Sequence, residues 1–149
     1  MKKLFLFFLA AFLFNDINCQ YNISIKNIIK ENNYSKDSFF IGATFNHFQL
    51  KTDIEELFLE EFNYLTPANS FKQTVIHPKP NVWRWERYND FINFANENDL
   101  ILRVHGPISP QASKWVKDDI RTKDELSIIL DEFLIELCKK VNKESAVRW

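Results

Sequence analysis

A parallel α/β fold is what this sequence predicts, and three observations carry the prediction. Short apolar runs alternate with stretches of helical periodicity along most of the chain. Two of those stretches open on a Thr-x-x-Glu pattern, Thr52 with Glu55 and Thr122 with Glu125, the signature of a helix start. The run ending at Leu65-Thr66-Pro67 stops where proline can no longer donate to a sheet ladder, and the polar residues Asn69 and Lys72 follow at once. Strand, helix, strand, helix, strand, helix, strand implies right-handed crossovers in one parallel sheet. The pattern alone allows either an open doubly wound sheet or part of a (β/α)8 barrel.

Each element has its own warrant. Residues 20–38 are polar and Asn-rich and run in as an extension or short helix. Phe39 to Phe45 is a buried-strand run that closes at Asn46 and His47. After Thr52, the residues Ile54, Leu57, Phe58 and Phe62 give the first core helix an apolar face. Asn63 to Thr66 is the second strand, and residues 73–86 form a loop holding His77-Pro78-Lys79-Pro80 and Trp83-Arg84-Trp85. Tyr88, Phe91, Ile92 and Ala95 make the second helix face, and Leu100 to His105 the third strand, apolar but for Arg103 and the closing His105. Leu126, Ile129, Leu130, Phe133, Leu134, Leu137, Cys138 and Val141 recur at the spacing of one face of a third helix. Ala146 to Trp149 begins a fourth strand.

Composition bounds the function. The 149 residues suffice for one modest domain, and with 46% hydrophobic and 15% aromatic residues the chain buries a core. A net charge of −1 argues for neither a nucleic-acid nor an anionic-membrane partner. Only 2 glycines favours helices and longer loops over tight turns. Lys2 and Lys3 precede an apolar run from Leu4 to Phe14 that is too short to span a bilayer. Residues 1–19 therefore read as a secretory signal peptide, cleaved between Cys19 and Gln20, and the product as secreted, periplasmic or cell-surface. A lipid-modified Cys19 is the rival, disfavoured because Ile17 and Asn18 are not small. Residues 20–37 then form an N-terminal extension and residues 38–149 the domain, in which Cys138 has no partner for a disulfide.

Several chemistries are absent. Asn46-His47-Phe48 follows the first strand where a dinucleotide or phosphate site needs a glycine-rich turn. No Cys/His spacing suggests zinc and no Gly-x-Ser-x-Gly elbow is present, so neither metal nor cofactor is expected. What remains are polar groups at successive strand ends: Asn46, then Asn69 and Lys72, then His105. In barrels of alternating strands and helices, chemistry sits in the loops after the strands. An amide, an amine and an imidazole there suit sugar hydroxyls, and the indoles of Trp83, Trp85 and Trp115 suit the apolar faces of sugar rings. Read alone, His105 serves equally as a hydrogen-bonded core residue, Lys72 as a surface charge, and Trp83 with Trp85 as packing.

Phe40-Ile41-Gly42-Ala43, Leu65 through Lys72, and Arg103-Val104-His105 through Gln111 to Trp115 resemble glycoside hydrolase family 10, the endo-1,4-β-xylanases. The resemblance runs from about residue 38 to the end, in family order and spacing. It implies a (β/α)8 TIM barrel, of which this chain covers roughly the first half, strands 1 to 4. It implies a xylan-like polysaccharide substrate cleaved with retention. By resemblance Asn69 and Lys72 bind xylose hydroxyls on the non-reducing side of the cut, His105 contacts the sugar at the cleavage point, and Gln111 and Trp115 shape the wall of that loop. Asn46 joins them at the first strand end.

The departures bear on activity. Ala68 stands where the family has a sugar-binding Glu, Gln73 where it has Trp, and Val104 where it has Gly. Between His105 and Gln111 the chain is one residue shorter than the family pattern, and Ser109 and Pro110 stand where a stacking Trp and a His are expected. Retaining glycosidases need two carboxylates about 5–5.5 Å apart. By resemblance the acid/base Glu follows a few residues after the Trp that matches Trp149, and the nucleophile lies on a later strand. Glu55, Glu60, Glu125 and Glu132 fall on predicted helices and read as solvated faces, so no catalytic residue is assigned. Three functions follow: the N-terminal part of a secreted xylanase-type hydrolase, inactive without its glutamates; a non-catalytic relative that binds glycans or serves a structural role; or an unrelated exported α/β domain. Four strands of a barrel leave open edges through which the chain is expected to self-associate.

Overall fold

The computed structural model describes residues 23–34, 39–109, 113–118 and 120–148. The expected signal peptide, Cys19, Gln111 and Trp149 lie outside the described residues. Four strands, β1 (Gly42–Phe45), β2 (Tyr64–Pro67), β3 (Ile101–Arg103) and β4 (Val147–Arg148), form one parallel sheet in the order β1-β2-β3-β4. The helices are α1 (Ile25–Glu31), α2 (Asp53–Glu61), α3 (Gln73–Ile76), α4 (Glu86–Glu97), α5 (Lys114–Lys117) and α6 (Lys123–Val141).

The strand order resolves the choice left open above. A doubly wound sheet reverses direction within its first four strands, whereas a barrel adds each strand beside the last. The faces agree. Ala43, Leu65, Leu102 and Val147 sit in one register row across the sheet, and Leu65 and Leu102 are fully buried. On the same face Phe45 packs its ring against Phe58 of α2 at 4.8 Å and Phe94 of α4 at 5.9 Å. The alternate residues Gly42, Thr44, Arg103 and Arg148 are exposed. Right-handed crossovers between consecutive strands put α2, α4 and α6 on one side, and the other face becomes the inside of a barrel.

The helices follow the sequence pattern with instructive exceptions. On α4, Tyr88, Phe91, Ile92 and Ala95 are all buried, as is Phe94. On α6 the Thr122 hydroxyl accepts from the Glu125 N–H at 3.3 Å while the Thr122 N–H donates to Glu125 Oε2 at 2.8 Å, a complete capping box. Phe133, Leu137 and Val141 form its buried stripe, and Cys138, one residue round from Leu137, is exposed and free. At α2 the box is incomplete. Thr52 caps Ile54, but Glu55 accepts from the Lys51 N–H at 2.6 Å, because the chain bends through a left-handed residue there, Lys51 at φ 62°. Of the expected α2 face only Phe58 is buried; Ile54 and Leu57 are 42% and 58% exposed. Leu57 lies ~100° round the helix from Phe58, and Ile54 sits a turn earlier, in the first turn of the helix.

Two strands are shorter than their apolar runs. Phe39 and Phe40 stay outside β1 and half-exposed, with Phe40 stacked on Tyr64 at 5.5 Å. Leu100 lies in the turn after α4, its N–H donating back to Ala95 O at 2.9 Å, and Val104 and His105 leave the sheet after Arg103. At Gly42 an added Cβ would lie 1.9 Å from the Tyr64 carbonyl oxygen, so only glycine lets β1 approach β2 this closely. Elsewhere Asn33, Asn81 and Asp99 take left-handed backbone at φ 55°, 59° and 52°. These residues tolerate that region, which is how a chain with few glycines makes its turns.

The entry segment contains a helix. The Ser24 hydroxyl accepts from the Asn27 N–H at 3.2 Å to start α1. The Ile25 N–H donates to Glu61 Oε2 at 2.7 Å and Lys26 Nζ to Leu59 O at 3.0 Å, tying α1 to the end of α2.

Candidate functional site

Because the strands are parallel, the loops after β1, β2 and β3 leave the sheet at one end, and Asn46, Asn69, Lys72 and His105 all lie there. Phe45 pairs with Pro67, so β1 and β2 end together, and the Ala68 N–H donates to Phe45 O at 3.0 Å. Asn46 is half-buried and opens a short 3-10 turn, with its N–H donating to Gln49 Oε1 at 2.7 Å.

The loop after β2 is pinned from beneath. Ser70 and Phe71 are 2% and 1% exposed, and Phe71 packs on Tyr88 at 4.8 Å. That burial leaves Asn69 exposed at the rim and Lys72 half-buried beside it, with the Lys72 N–H donating to Asn69 O at 3.0 Å. Lys72 then opens α3, accepting at its carbonyl from the Val75 and Ile76 N–H groups at 2.9 and 3.0 Å.

His105 lies two residues past β3 and is exposed, so it is no core histidine. Gly106 turns the chain immediately after it at φ 51°, with nothing within 4 Å of an added Cβ; the backbone angle, not space, calls for glycine. The loop returns at Pro107, whose carbonyl accepts from the Gln73 N–H at 2.8 Å. Loops after β2 and β3 are thereby joined.

A buried polar knot lies behind this joint. Gln73 is 1% exposed, its Oε1 accepting from the Ser113 N–H at 2.9 Å and its Nε2 donating to His77 O at 2.9 Å. The Trp115 indole N–H donates to the same His77 carbonyl at 3.2 Å, and the Arg121 guanidinium lies 5.7 Å over the Trp115 ring. The His77 ring stacks on Trp83 at 4.3 Å and meets Trp115 edge-on at 5.3 Å. Trp83 in turn stacks on Trp85 at 5.7 Å and Phe133 at 6.4 Å. Trp83 and Trp85 thus serve packing. Burial pushes the His77 imidazole below its ordinary pKa of 6.5, with Glu132 working in the opposite sense. Among the described residues His77 Nδ1 has no hydrogen-bond partner.

Two surface hollows are lined by residues other than Asn46, Asn69, Lys72 and His105. One, of about 320 Å³, is lined by residues that include His47, Glu55 and Asp90, with His47 Nε2 and Asp90 Oδ2 2.7 Å apart. The other, of about 470 Å³, lies by Thr74, Pro78, Arg84 and Arg87. Glu55 and Glu125 bond the starts of their own helices, and Glu60 and Glu132 are exposed on α2 and α6. Among the described residues no group of three His, Cys, Asp or Glu could hold a metal ion, and no helix is long and apolar enough to cross a membrane.

Sequence reasoning named Lys72 and Trp115 but missed Gln73, His77 and Ser113, which hold them. The available signal was a set of polar residues interrupting aromatic and apolar ones, at Phe71-Lys72-Gln73 and Ile76-His77-Pro78. Only the fold shows that these side chains turn inward.

Residues 30–149 match the profile of glycosyl hydrolase family 10. A beta-1,4-xylanase of Dictyoglomus thermophilum is 37% identical over 103 residues, 68% of this chain and 28% of the relative. Endo-1,4-beta-xylanase A of Caldicellulosiruptor saccharolyticus is 32% identical over 133 residues, 86% of this chain and 38% of the relative. Among solved structures, xylanase 10B from Thermotoga petrophila RKU-1 in complex with xylobiose superposes with a TM-score of 0.63 and 27% identity, covering 75% of this chain and 34% of that one. The chain therefore spans between a quarter and two fifths of these proteins' length.

Proposed function

This chain belongs to glycosyl hydrolase family 10, and from that premise we propose that it forms the sugar-gripping N-terminal part of a secreted hydrolase of the endo-1,4-β-xylanase type. The substrate is xylan or a related plant polysaccharide, and the reaction retaining hydrolysis of its O-glycosyl bonds. One observation carries the reading: the order β1-β2-β3-β4 brings Asn46, Asn69, Lys72 and His105 to one end of the sheet. The xylanase names of the relatives and the xylobiose of the solved neighbour support the same substrate class. In this reading Asn69 and Lys72 bind sugar hydroxyls on the non-reducing side, His105 meets the sugar at the cut, and Gln111 and Trp115 shape the wall.

Retaining hydrolysis needs two facing carboxylates about 5–5.5 Å apart, and the carboxylates named on α2 and α6 cap helices or face solvent. The four strands therefore bind and orient substrate, and the acid/base and nucleophile come from strands that complete the barrel. The Lys2-Lys3 start and the apolar run to Phe14 support export by a signal peptide, with a lipid anchor at Cys19 the less favoured variant. The uncovered sheet face and the outer edges of β1 and β4 favour self-association of the four-strand unit.

A second reading has its own support. Ala68, half-buried at the rim, presents a methyl group where the resembled family has a sugar-binding carboxylate, which favours a non-catalytic glycan binder or structural protein. Co-expression of residues 20–149 with the C-terminal half of a family 10 barrel separates the two. The enzyme reading expects reducing sugar from xylan by the complemented barrel, none from the chain alone, and loss of release on Lys72→Ala. A folded complemented barrel that leaves xylan intact would select the non-catalytic reading.

A further inference from the structure

Gln73 uses both ends of its side-chain amide to hold other parts of the chain. Its own N–H reaches Pro107 O at 2.8 Å, its Oε1 accepts from the Ser113 N–H, and its Nε2 donates to His77 O, each at 2.9 Å. The amide orientation is determined by its partners: a flipped amide would set donor against the Ser113 N–H and acceptor against the His77 carbonyl. Lys72 is the preceding residue, and Trp115 hangs from the same His77 carbonyl at 3.2 Å. One buried side chain thus couples a cation at the rim to an indole on the facing loop.

We infer that Gln73 is a positioning residue for the bound sugar: it fixes the span between the Asn69–Lys72 turn and the Trp115 wall, across which a linear β-linked pyranoside must meet both. The inference rests on the sugar-binding reading above. A leucine-like filler would serve packing equally well; it would not hold Trp115 relative to Lys72.

The test uses the full chain and xylohexaose as the probe. Gln73→Met keeps the side-chain length and removes both polar atoms. Solvent exchange of the Trp115 indole N–H, followed by NMR, is expected to accelerate about ten-fold or more, and xylohexaose to bind about ten-fold more weakly, the scale of one directed hydrogen bond. Ser113→Pro deletes the N–H that donates to Gln73 Oε1, together with the hydroxyl that donates to His77 O at 3.4 Å, at a φ of −53° that proline adopts, and is expected to give the same pair of changes if Gln73→Met does not fold. Lys72→Ala should weaken binding and leave Trp115 exchange at the wild-type rate. Unchanged affinity in both knot variants, or weaker binding with Trp115 still protected, overturns the positioning role. Failure of the wild-type chain itself to bind xylohexaose overturns the sugar-binding reading and the role with it, and is recognised because no variant is then needed.

Discussion

Replacing Gly42 by alanine tests the close approach of β1 to β2, the contact from which the sheet is built outward. The added Cβ would stand 1.9 Å from Tyr64 O, 2.6 Å from Tyr64 C and 2.7 Å from Tyr64 Cβ. Unstrained carbon contacts lie near ~3.5 Å, so the strands must part by roughly 1.5 Å at a spacing of ~4.8 Å. No rotamer relieves this, since all three obstructing atoms are backbone or fixed to it. Overpacking of this kind costs about 1–3 kcal/mol, and a broken ladder bond about 1 more. Together ~2–4 kcal/mol is a large share of the 5–15 kcal/mol that typically holds a domain. Urea unfolding followed by tryptophan fluorescence reads the effect as a midpoint lowered by about 1–2 M. Gly106→Ala is the matched control, because its φ of 51° is strained but its surroundings are open. It should cost only ~1–2 kcal/mol. A Gly42→Ala chain within about 0.5 kcal/mol of wild type, or less affected than Gly106→Ala, would refute the close-approach argument.

Phe45, 1% exposed and in ring contact with Phe58, Phe91 and Phe94, should lose about 3–5 kcal/mol on truncation to alanine, read from the same urea midpoints. Thr122→Ala removes the hydroxyl that caps α6 and should cost about 0.5–2 kcal/mol, with a loss of helical circular dichroism no larger than one turn. His77 gives a pH dependence of defined sign. Its folded pKa is depressed below 6.5 by burial, so its contribution is full above about pH 6.5 and is lost as pH falls from there toward the folded value, where the unfolded chain binds a proton the folded chain does not. His77→Phe, which keeps the carbonyl that Trp115 uses, should flatten the urea midpoint against pH in that window; an unaltered slope would remove His77 from the account. The purified chain should release no reducing sugar from xylan, and release abolished by mutating one of its own carboxylates would overturn the assignment of catalysis to further strands.

The fold was legible because its signals are local. Capping at Thr52 and Thr122, the stripe through Phe133, Leu137 and Val141, and the stop at Pro67 each depend on neighbours within a few residues. Strand limits were less legible, since an apolar residue enters a strand only if a partner strand lies opposite. Phe39, Phe40 and Leu100 are apolar yet unpaired for that reason. The excess apolar surface of α2 has the same origin. Periodicity marks Ile54 and Leu57 as core, but of α2 only Phe58 is buried, and the pattern cannot say how far a partner layer extends.

The site divides along the same line. Asn69, Lys72 and His105 could be named as candidates because a strand end followed by polar groups is written in the chain itself, and the parallel sheet sets all three at one end. The knot of Gln73, His77 and Ser113 joins residues up to 40 positions apart, and nothing local distinguishes it from three polar loop residues. Yet the knot decides whether the legible residues can act together. A long side chain such as Lys72 loses up to about 2 kcal/mol of rotamer freedom when it binds, so a sugar gains from it only if its backbone is held in place beforehand. Ser70 and Phe71 hold it from below and Gln73 from behind, before any substrate arrives. Loss of the Gln73 joint would free the Lys72 turn from both the Pro107 loop and Ser113 at once.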